Sequence, residues 1–379
     1  MFKSIRVNHF VFLFSFLPFV NFGISLFNSD TQPFYFFTLL FIMIFNLKSY
    51  QIQKKEYVIL YLAFISTVIT FFVGYDFKKS FHLLIIAISL LFFYRNTFNL
   101  KLIRIVFIIY IIIFLFWLIA PFEAYTVQSY LVRNINSGVS NSFRGIPVLS
   151  TEPGLYAATA IMLCELYIMK LNDNFKLLDY ILIGIIFFSI VLSFSGTSII
   201  FLTVFMLFRI RNLKTLIISI ILLLVLNNLI LYIFPLNRLT ILLGFLSFDN
   251  ISMIFNDSSL MYRISSLGMS FDYFSDHFFG AIGEVNLKQT LQEIYYKKYY
   301  NKGLGMTYEY HLVSGFGYSL ICSGIITLLF FLAVTRKYMS IKGIVYMSMC
   351  MCFSFSLIYP VSLILLVESF KNKYVPKSR

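Results

Sequence analysis

Two stretches of this chain gather most of the side chains suited to chemistry. The first runs Asn141-Ser-Phe-Arg144-Gly145-Ile-Pro-Val-Leu-Ser-Thr-Glu152-Pro153-Gly154. Proline suits the first position of a helix, so Pro153 predicts a helix start with Glu152 at its N-cap, beside the positive end of the dipole. A carboxylate there is expected to be ionised, which suits a proton acceptor better than an acid. The same residues also fit a plain capping carboxylate next to an arginine that snorkels to head-group level.

The second stretch spans 236–310 and holds Arg263, Asp272, Asp276, His277, Glu284 and several lysines. Leu260, Ile264, Leu267, Phe271 and Phe274 recur within it at helical spacing, which predicts an amphipathic helix on the outer membrane surface. Arg263 lies at the edge of that stripe. Its planar guanidinium can grip a substrate phosphate in bidentate fashion or pair with a lipid phosphate. His277 precedes Phe-Phe-Gly280-Ala-Ile-Gly283, a predicted turn. Tyr295-Tyr-Lys-Lys-Tyr-Tyr300 offers rings to stack on sugars and ammonium groups for phosphates, or a simple interfacial anchor. His311 opens the following span, just after Glu309, as a catalytic or a structural histidine. Ser314, Gly315, Gly317 and Gly324 then permit close helix approach. Ser193, Ser195, Gly196 and Thr197 form a polar tip between two apolar runs.

Other chemistries lack their signatures. There is no G-x-x-x-x-G-K-[ST] loop to cradle ATP, no H-E-x-x-H and no metal-spaced cysteine pair. The reading therefore calls for no cofactor and no metal. Cys164, Cys322, Cys350 and Cys352 all fall in apolar runs and read as small membrane-core residues. Charges within the apolar runs are few, unlike a proton-coupled transporter. Glu165 and Asp179 fall near predicted inner helix ends and are expected to be interfacial.

The elements that must position these groups are membrane helices. Of 379 residues, 60% are hydrophobic and only 12% charged, about half the charge of a soluble chain. The apolar runs 9–28, 33–47, 57–75, 81–94, 105–121, 154–171, 177–195, 198–210, 215–235 and 311–335 read as spans. The run 343–369, interrupted by Pro360, is one tilted helix or a hairpin of two. The result is an all-α, polytopic bundle of about eleven or twelve spans. It forms a single membrane domain over 1–379 with two long outer loops, 122–153 and 236–310. Lys3 and Arg6 before the first run, with no small-residue cleavage site after it, indicate a retained first span.

The net charge of +14 would suggest nucleic acid in a soluble protein. Here the basic residues crowd short gaps between spans, such as Arg95, Lys101 and Arg104, or Arg209, Arg211 and Lys214. That pattern places the N-terminus inside and contacts anionic lipid heads. Lys78 and Lys79 are the exception. The basic tail from Lys371 to Arg379 favours the hairpin, which returns the chain to the inner side.

At these residues the chain resembles the Wzy-type bacterial polysaccharide polymerases, which join O-antigen or capsule repeat units. The resemblance is carried by Phe143-Arg144-Gly145 running into Glu152-Pro153-Gly154, by Ser193-Phe-Ser-Gly-Thr197, and by Tyr262-Arg263 with Ser265-Ser266. Phe279-Gly280-Ala-Ile-Gly283 and His311 before a glycine-bearing span complete it. It covers roughly 140–335, and Leu312 departs from the asparagine that often follows the histidine. The resemblance implies a glycosyltransferase of the bacterial cytoplasmic membrane whose site faces outward. Its substrates would be oligosaccharide repeats on undecaprenyl pyrophosphate, and its partners a flippase and a chain-length regulator. Arg144 and Arg263 would hold the pyrophosphate, and Glu152 or His311 would take the proton. An O-antigen ligase, a lipid-linked sugar flippase and a non-catalytic scaffold are the rival readings.

Overall fold

A computed structural model describes residues 2–21, 34–45, 52–74, 77–132, 145–172, 174–193, 195–209, 258–284, 286–298, 314–353 and 360–374. The expected span 215–235, Arg144 and His311 lie outside them. Among the described residues the fold is all-α, with one isolated bridge between Val20 and Val132. The helices are α1 (Phe2–Phe16), α2 (Phe34–Phe45), α3 (Lys54–Val73), α4 (Phe77–Ser80), α5 (His82–Arg95), α6 (Leu100–Ile119), α7 (Pro121–Leu131) and α8 (Pro153–Leu171). They continue as α9 (Leu177–Val191), α10 (Gly196–Leu207), α11 (Ser258–Asp276), α12 (Leu287–Lys298), α13 (Gly315–Ser323), α14 (Ile325–Lys337), α15 (Ile341–Phe353) and α16 (Pro360–Tyr374). Three of them, α3, α6 and α8, are long and apolar enough to cross a membrane. The first helix stops at Phe16, short of the expected end at 28. Pro18 accounts for this, because it drives the preceding residue out of the α region.

On α3 the packing is inverted relative to a water-soluble protein. The buried face of α3 carries Ala63, Ser66, Thr67 and Thr70, while Tyr61, Phe64, Phe71 and Phe72 face outward. Phe72 is 80% exposed. Helix α6 also turns Ile105, Ile108, Ile112 and Leu115 outward, but over an inner face that is itself large and apolar, with Ile103, Phe107, Tyr110, Phe114 and Trp117 buried. Water would penalise such stripes, whereas hydrocarbon accepts them and leaves small residues to mediate helix contact. The inner hydroxyls are satisfied within the protein. Ser66 and Ser323 meet at 2.5 Å. Ser323 also reaches Thr327 at 2.8 Å, and Thr327 donates to the Ser319 carbonyl at 2.8 Å.

The chain divides into two compact units, one of 1–15, 33–98 and 255–379, the other of 16–32 and 99–254. In the second, α8 is the central element, packed by α6, α9 and α10. In its most apolar window 83% of residues are buried, against 33% in α6. Its far end is tied by charge. Arg104 donates to Tyr167 at 2.7 Å and to Asp179 at 2.8 Å, and Tyr167 donates to Asp179. Arg209 meets Glu165 at 3.1 Å. Glu165 and Asp179 are fully buried within the protein. Their arginine partners make that burial tolerable, since an unpaired buried carboxylate is strongly disfavoured.

In the first unit, α3 packs against α5, α13 and α14. Glu56, at the start of α3, accepts from Arg95 at 2.7 Å. Lys337, at the end of α14, donates to Gln53 at 2.5 Å. The expected span 311–335 is broken at Gly324, whose φ of +50° and ψ of −126° exclude other residues. The run 343–369 resolves as two antiparallel helices. Ser340 on the approach to α15 meets Ser369 on α16 at 2.5 Å, and Gly343 lies against Leu366. Lys371 then donates to the carbonyls of Phe93 and Asn96 at 3.0 and 3.1 Å, a cation at the C-terminal end of α5. The end of α16 therefore sits at the same end of this unit as Arg95. Single cysteines at Thr97 and Asn372, both exposed, should react with an impermeant maleimide from the same face of sealed vesicles. Labelling from opposite faces would break this hairpin topology.

Candidate functional site

The short motifs converge within each unit because glycines let backbones touch. In the second unit, residues 145–152 lie over the end of α9. The Ile146 amide donates to the Leu192 carbonyl at 3.1 Å. A Cβ on Gly145 would fall 2.2 Å from the Ser193 carbonyl carbon, and one on Gly154 would fall 2.5 Å from Ser195 Oγ. At Gly145 only hydrogen fits, because the neighbour is backbone; at Gly154 a Cβ would have to push the Ser195 side chain aside. Gln128 fastens the loop from behind, accepting from Trp117 Nε1 at 2.6 Å and donating to the Ser150 carbonyl at 3.1 Å. Val148 is held at a φ of +47°, a conformation a β-branched residue adopts only when its surroundings enforce it.

Glu152 stands where the proline predicts. It is the N-cap of α8, with extended φ and ψ of −138° and 146° and Pro153 in the first turn. Its side chain makes no capping bond. The Glu152 carbonyl does the local work instead, accepting from the amides of Leu155 and Tyr156 at 3.1 and 3.2 Å and from the Ser150 hydroxyl. The carboxylate is half-buried rather than folded back onto the helix end. Arg144, the residue before this loop, is outside the described residues.

In the first unit, Arg263 lies on α11 and Ser314 caps α13, accepting from the Gly317 amide at 2.8 Å. His311 precedes the described part of that helix start. The face of α11 packed inward carries Ser265, Ser266, Met269, Ser270 and Tyr273, and Phe271 of the expected apolar stripe is exposed. Gly317 accepts the close approach of Ser270, where a Cβ would lie 2.5 Å from its hydroxyl. The turn after α11 docks on the helix break. Gly280, at a φ of +83°, would place a Cβ 2.4 Å from the Cys322 carbonyl, and Gly324 meets the Gly280 amide at the same distance. Ala281 donates to the Ile321 carbonyl at 2.9 Å. The predicted turn Phe279–Gly283 is thus real and is held by backbone contact.

This turn assembles a polar cluster that spacing alone does not reveal. Tyr273 and His277 stack with centroids 4.3 Å apart and planes 10° apart. Glu284 accepts from Tyr273 at 2.9 Å and from Thr290 at 2.6 Å, and its Oε2 lies 3.9 Å from His277 Nε2. The Thr290 hydrogen bond, aided by that of Tyr273 and by electrostatic attraction to the nearby imidazole, holds the Glu284 carboxyl below its ordinary range. Burial, reinforced by that carboxylate, raises the Tyr273 phenol above its ordinary value. The one local hint in the sequence is the four-residue step from Tyr273 to His277. Among the described residues, no group of three His, Cys, Asp or Glu is arranged to hold a metal ion.

Comparison with known protein families, curated proteins and solved structures found no match.

Two predictions follow from this geometry. Gly280→Ala must strain a left-handed φ and displace backbone, so it should destabilise the purified protein by about 2–3 kcal/mol. Gly184→Ala, on α9 with nothing within 4 Å, should be neutral or stabilising by up to about 1 kcal/mol in the same thermal melt. Glu284 has its folded pKa depressed, so its contribution is complete above the ordinary glutamate value and is lost as pH falls through the lowered folded value. Amide protection factors over 273–284 and 286–290, corrected for intrinsic exchange, should hold from neutral pH to about 4.5 and fall below it. Glu284→Gln should flatten that response, and an unchanged pH response in this variant would refute the assignment.

Proposed function

We propose that the protein is a membrane glycosyltransferase that polymerises lipid-pyrophosphate-linked oligosaccharide repeats into a surface polysaccharide. The reading places it in the bacterial cytoplasmic membrane as a polytopic bundle with its site on the outer side. The observation that carries the proposal is the glycine-mediated joining of short, separated motifs. Residues 145–154 close on Ser193 and Ser195, and the Phe279–Gly283 turn closes on Gly324. A lipid-linked donor needs a site reached from the bilayer, and the outward apolar stripe of α3 supplies a lipid-facing wall over a polar inner face.

In this scheme the growing chain leaves its lipid pyrophosphate as a hydroxyl of the next repeat attacks the anomeric carbon. Negative charge grows on the departing pyrophosphate. Arg144 and Arg263 are assigned to that charge, where low-dielectric surroundings strengthen their effect. Glu152 and His311 are the residues assigned from the sequence to accept the hydroxyl proton.

Arg144→Ala and Arg263→Ala, each verified in the membrane, test the proposal directly. Glycans from the cells should lose their ladder and accumulate single repeats, with polymer reduced by about a hundredfold or more. A full-length polymer that is made but no longer attached would instead identify a ligase. An unchanged ladder in well-expressed variants would overturn the enzyme reading.

A further inference from the structure

The break at Gly324 frees main-chain groups that a continuous helix would have paired. In such a helix the Ile325 amide would donate to the Ile321 carbonyl. Here the turn after α11 comes between them. Ala281 donates to the Ile321 carbonyl at 2.9 Å and to that of Cys322 at 3.3 Å, and the Phe278 carbonyl accepts from the Ile325 amide at 2.9 Å. The turn also satisfies its own backbone. The His277 amide donates to Tyr273 and the Gly280 amide to His277, both at 2.9 Å, and the Glu284 amide donates to Ala281 at 3.1 Å. At a wetted surface, water could serve these groups. At membrane depth, non-helical backbone has to find its partners in the protein.

The depth of the break follows from α3, which is long enough to cross a bilayer. Gly74, just past the end of α3, packs on the Tyr318 hydroxyl of α13. Further along α13, Ser323 meets Ser66. Ser66 lies seven residues before Val73, where α3 ends, which is about 10 Å along a helix axis. The turn docks on Cys322 and Gly324, and so sits at that level rather than at the end of the span.

Its side chains divide accordingly. Phe278, Phe279 and Ile282 are 51, 69 and 58% exposed, an apolar tip that water would penalise. Beyond the Ile325 amide, α14 continues with Leu329 and Leu332 exposed, so the tip adjoins an outward apolar stripe of a membrane helix. Asp276 and His277, immediately before it, are also exposed. An exposed carboxylate at this depth requires water beside it.

We propose that the α11–α12 turn is re-entrant, seating Phe278, Phe279 and Ile282 among the acyl chains of the bilayer while Asp276 and His277 line a water-filled recess. This goes beyond the polymerase reading and does not rest on it, and its test needs no activity.

Full-length protein in phosphatidylglycerol and phosphatidylethanolamine vesicles would carry a bimane label on Phe279→Cys, Ile282→Cys or Asp276→Cys. Labels at Phe64→Cys and Phe72→Cys on α3 serve as depth markers, and the parent protein with its own four cysteines is the blank. Quenching by lipids with a nitroxide at carbon 5 or carbon 12 of the acyl chain reads depth, and iodide reads water. Phe279→Cys and Ile282→Cys should be quenched by the lipid nitroxides at a depth between those of the two markers, and several-fold less by iodide than Asp276→Cys. Strong iodide quenching at Phe279 and Ile282, or a depth shallower than Phe72, would place the turn above the bilayer and overturn the proposal. Shielding of both positions from both quenchers would mean that protein, such as a second copy, covers the tip, and would overturn lipid contact. Resistance of Asp276→Cys to iodide would overturn the recess.

Discussion

Hydrocarbon offers a polar group no partner, and the architecture follows from that constraint. Each hydroxyl on an apolar helix must bond within the protein, so on α3 small polar residues turn inward while Tyr61, Phe64, Phe71 and Phe72 turn out. Ser66, Thr67 and Thr70 line the inner face of α3, and the Ser66–Ser323–Thr327 chain joins three helices without a large side chain between them. Small inner residues bring backbones close, and close backbones make individual glycines indispensable. Gly280, Gly317 and Gly324 belong to this same packing. The Phe279–Gly283 turn is held both by main-chain contact and by a buried apolar cluster that includes Met269, Tyr273, Ala281, Leu291, Tyr318 and Ile321.

Charge is governed by the same constraint. The buried carboxylates Glu56, Glu165 and Asp179 each face an arginine, and Glu368 faces Lys371. Breaking one partner would strand the other, at a cost of about 3–5 kcal/mol. These pairs fasten helix ends. The Tyr273–His277–Glu284 cluster differs, because its imidazole remains open. The carboxylate pairs are sealed, whereas the imidazole of the cluster is exposed.

Much of this was legible from the amino acids, and for definable reasons. Apolar runs near 20 residues announce helices, so α3, α6 and α8 matched their expected positions. Pro153 announced the start of α8, because its fixed φ and missing amide suit only the first turn. The return of the chain at Pro360 was legible as one of two options, and the basic tail favoured the correct one. Other features depend on partners distant in sequence. The buried pairing of Glu165 and Asp179 was not legible, because Arg209 and Arg104, 44 and 75 residues away, could not be assigned to them. Gly324 read as a packing glycine, whereas its backbone angles split one expected span into α13 and α14. Phe271 of the expected stripe on α11 is exposed, but the inward serine face was not legible, since that face answers to Gly317. Of the candidate site, Glu152 stood at its expected N-cap, while the His277 cluster needed the fold of the turn to appear.

The inverted packing of α3 is the central claim, and lipid accessibility measures it most directly. Nitroxide labels placed singly at Phe64 and Phe71 should relax strongly with oxygen, which concentrates in hydrocarbon, and weakly with a water-soluble nickel complex. A label at Ala63, which is fully buried, should respond to neither. Strong nickel relaxation at Phe64 and Phe71 would mean that this apolar face meets water, and the membrane-bundle account would fail.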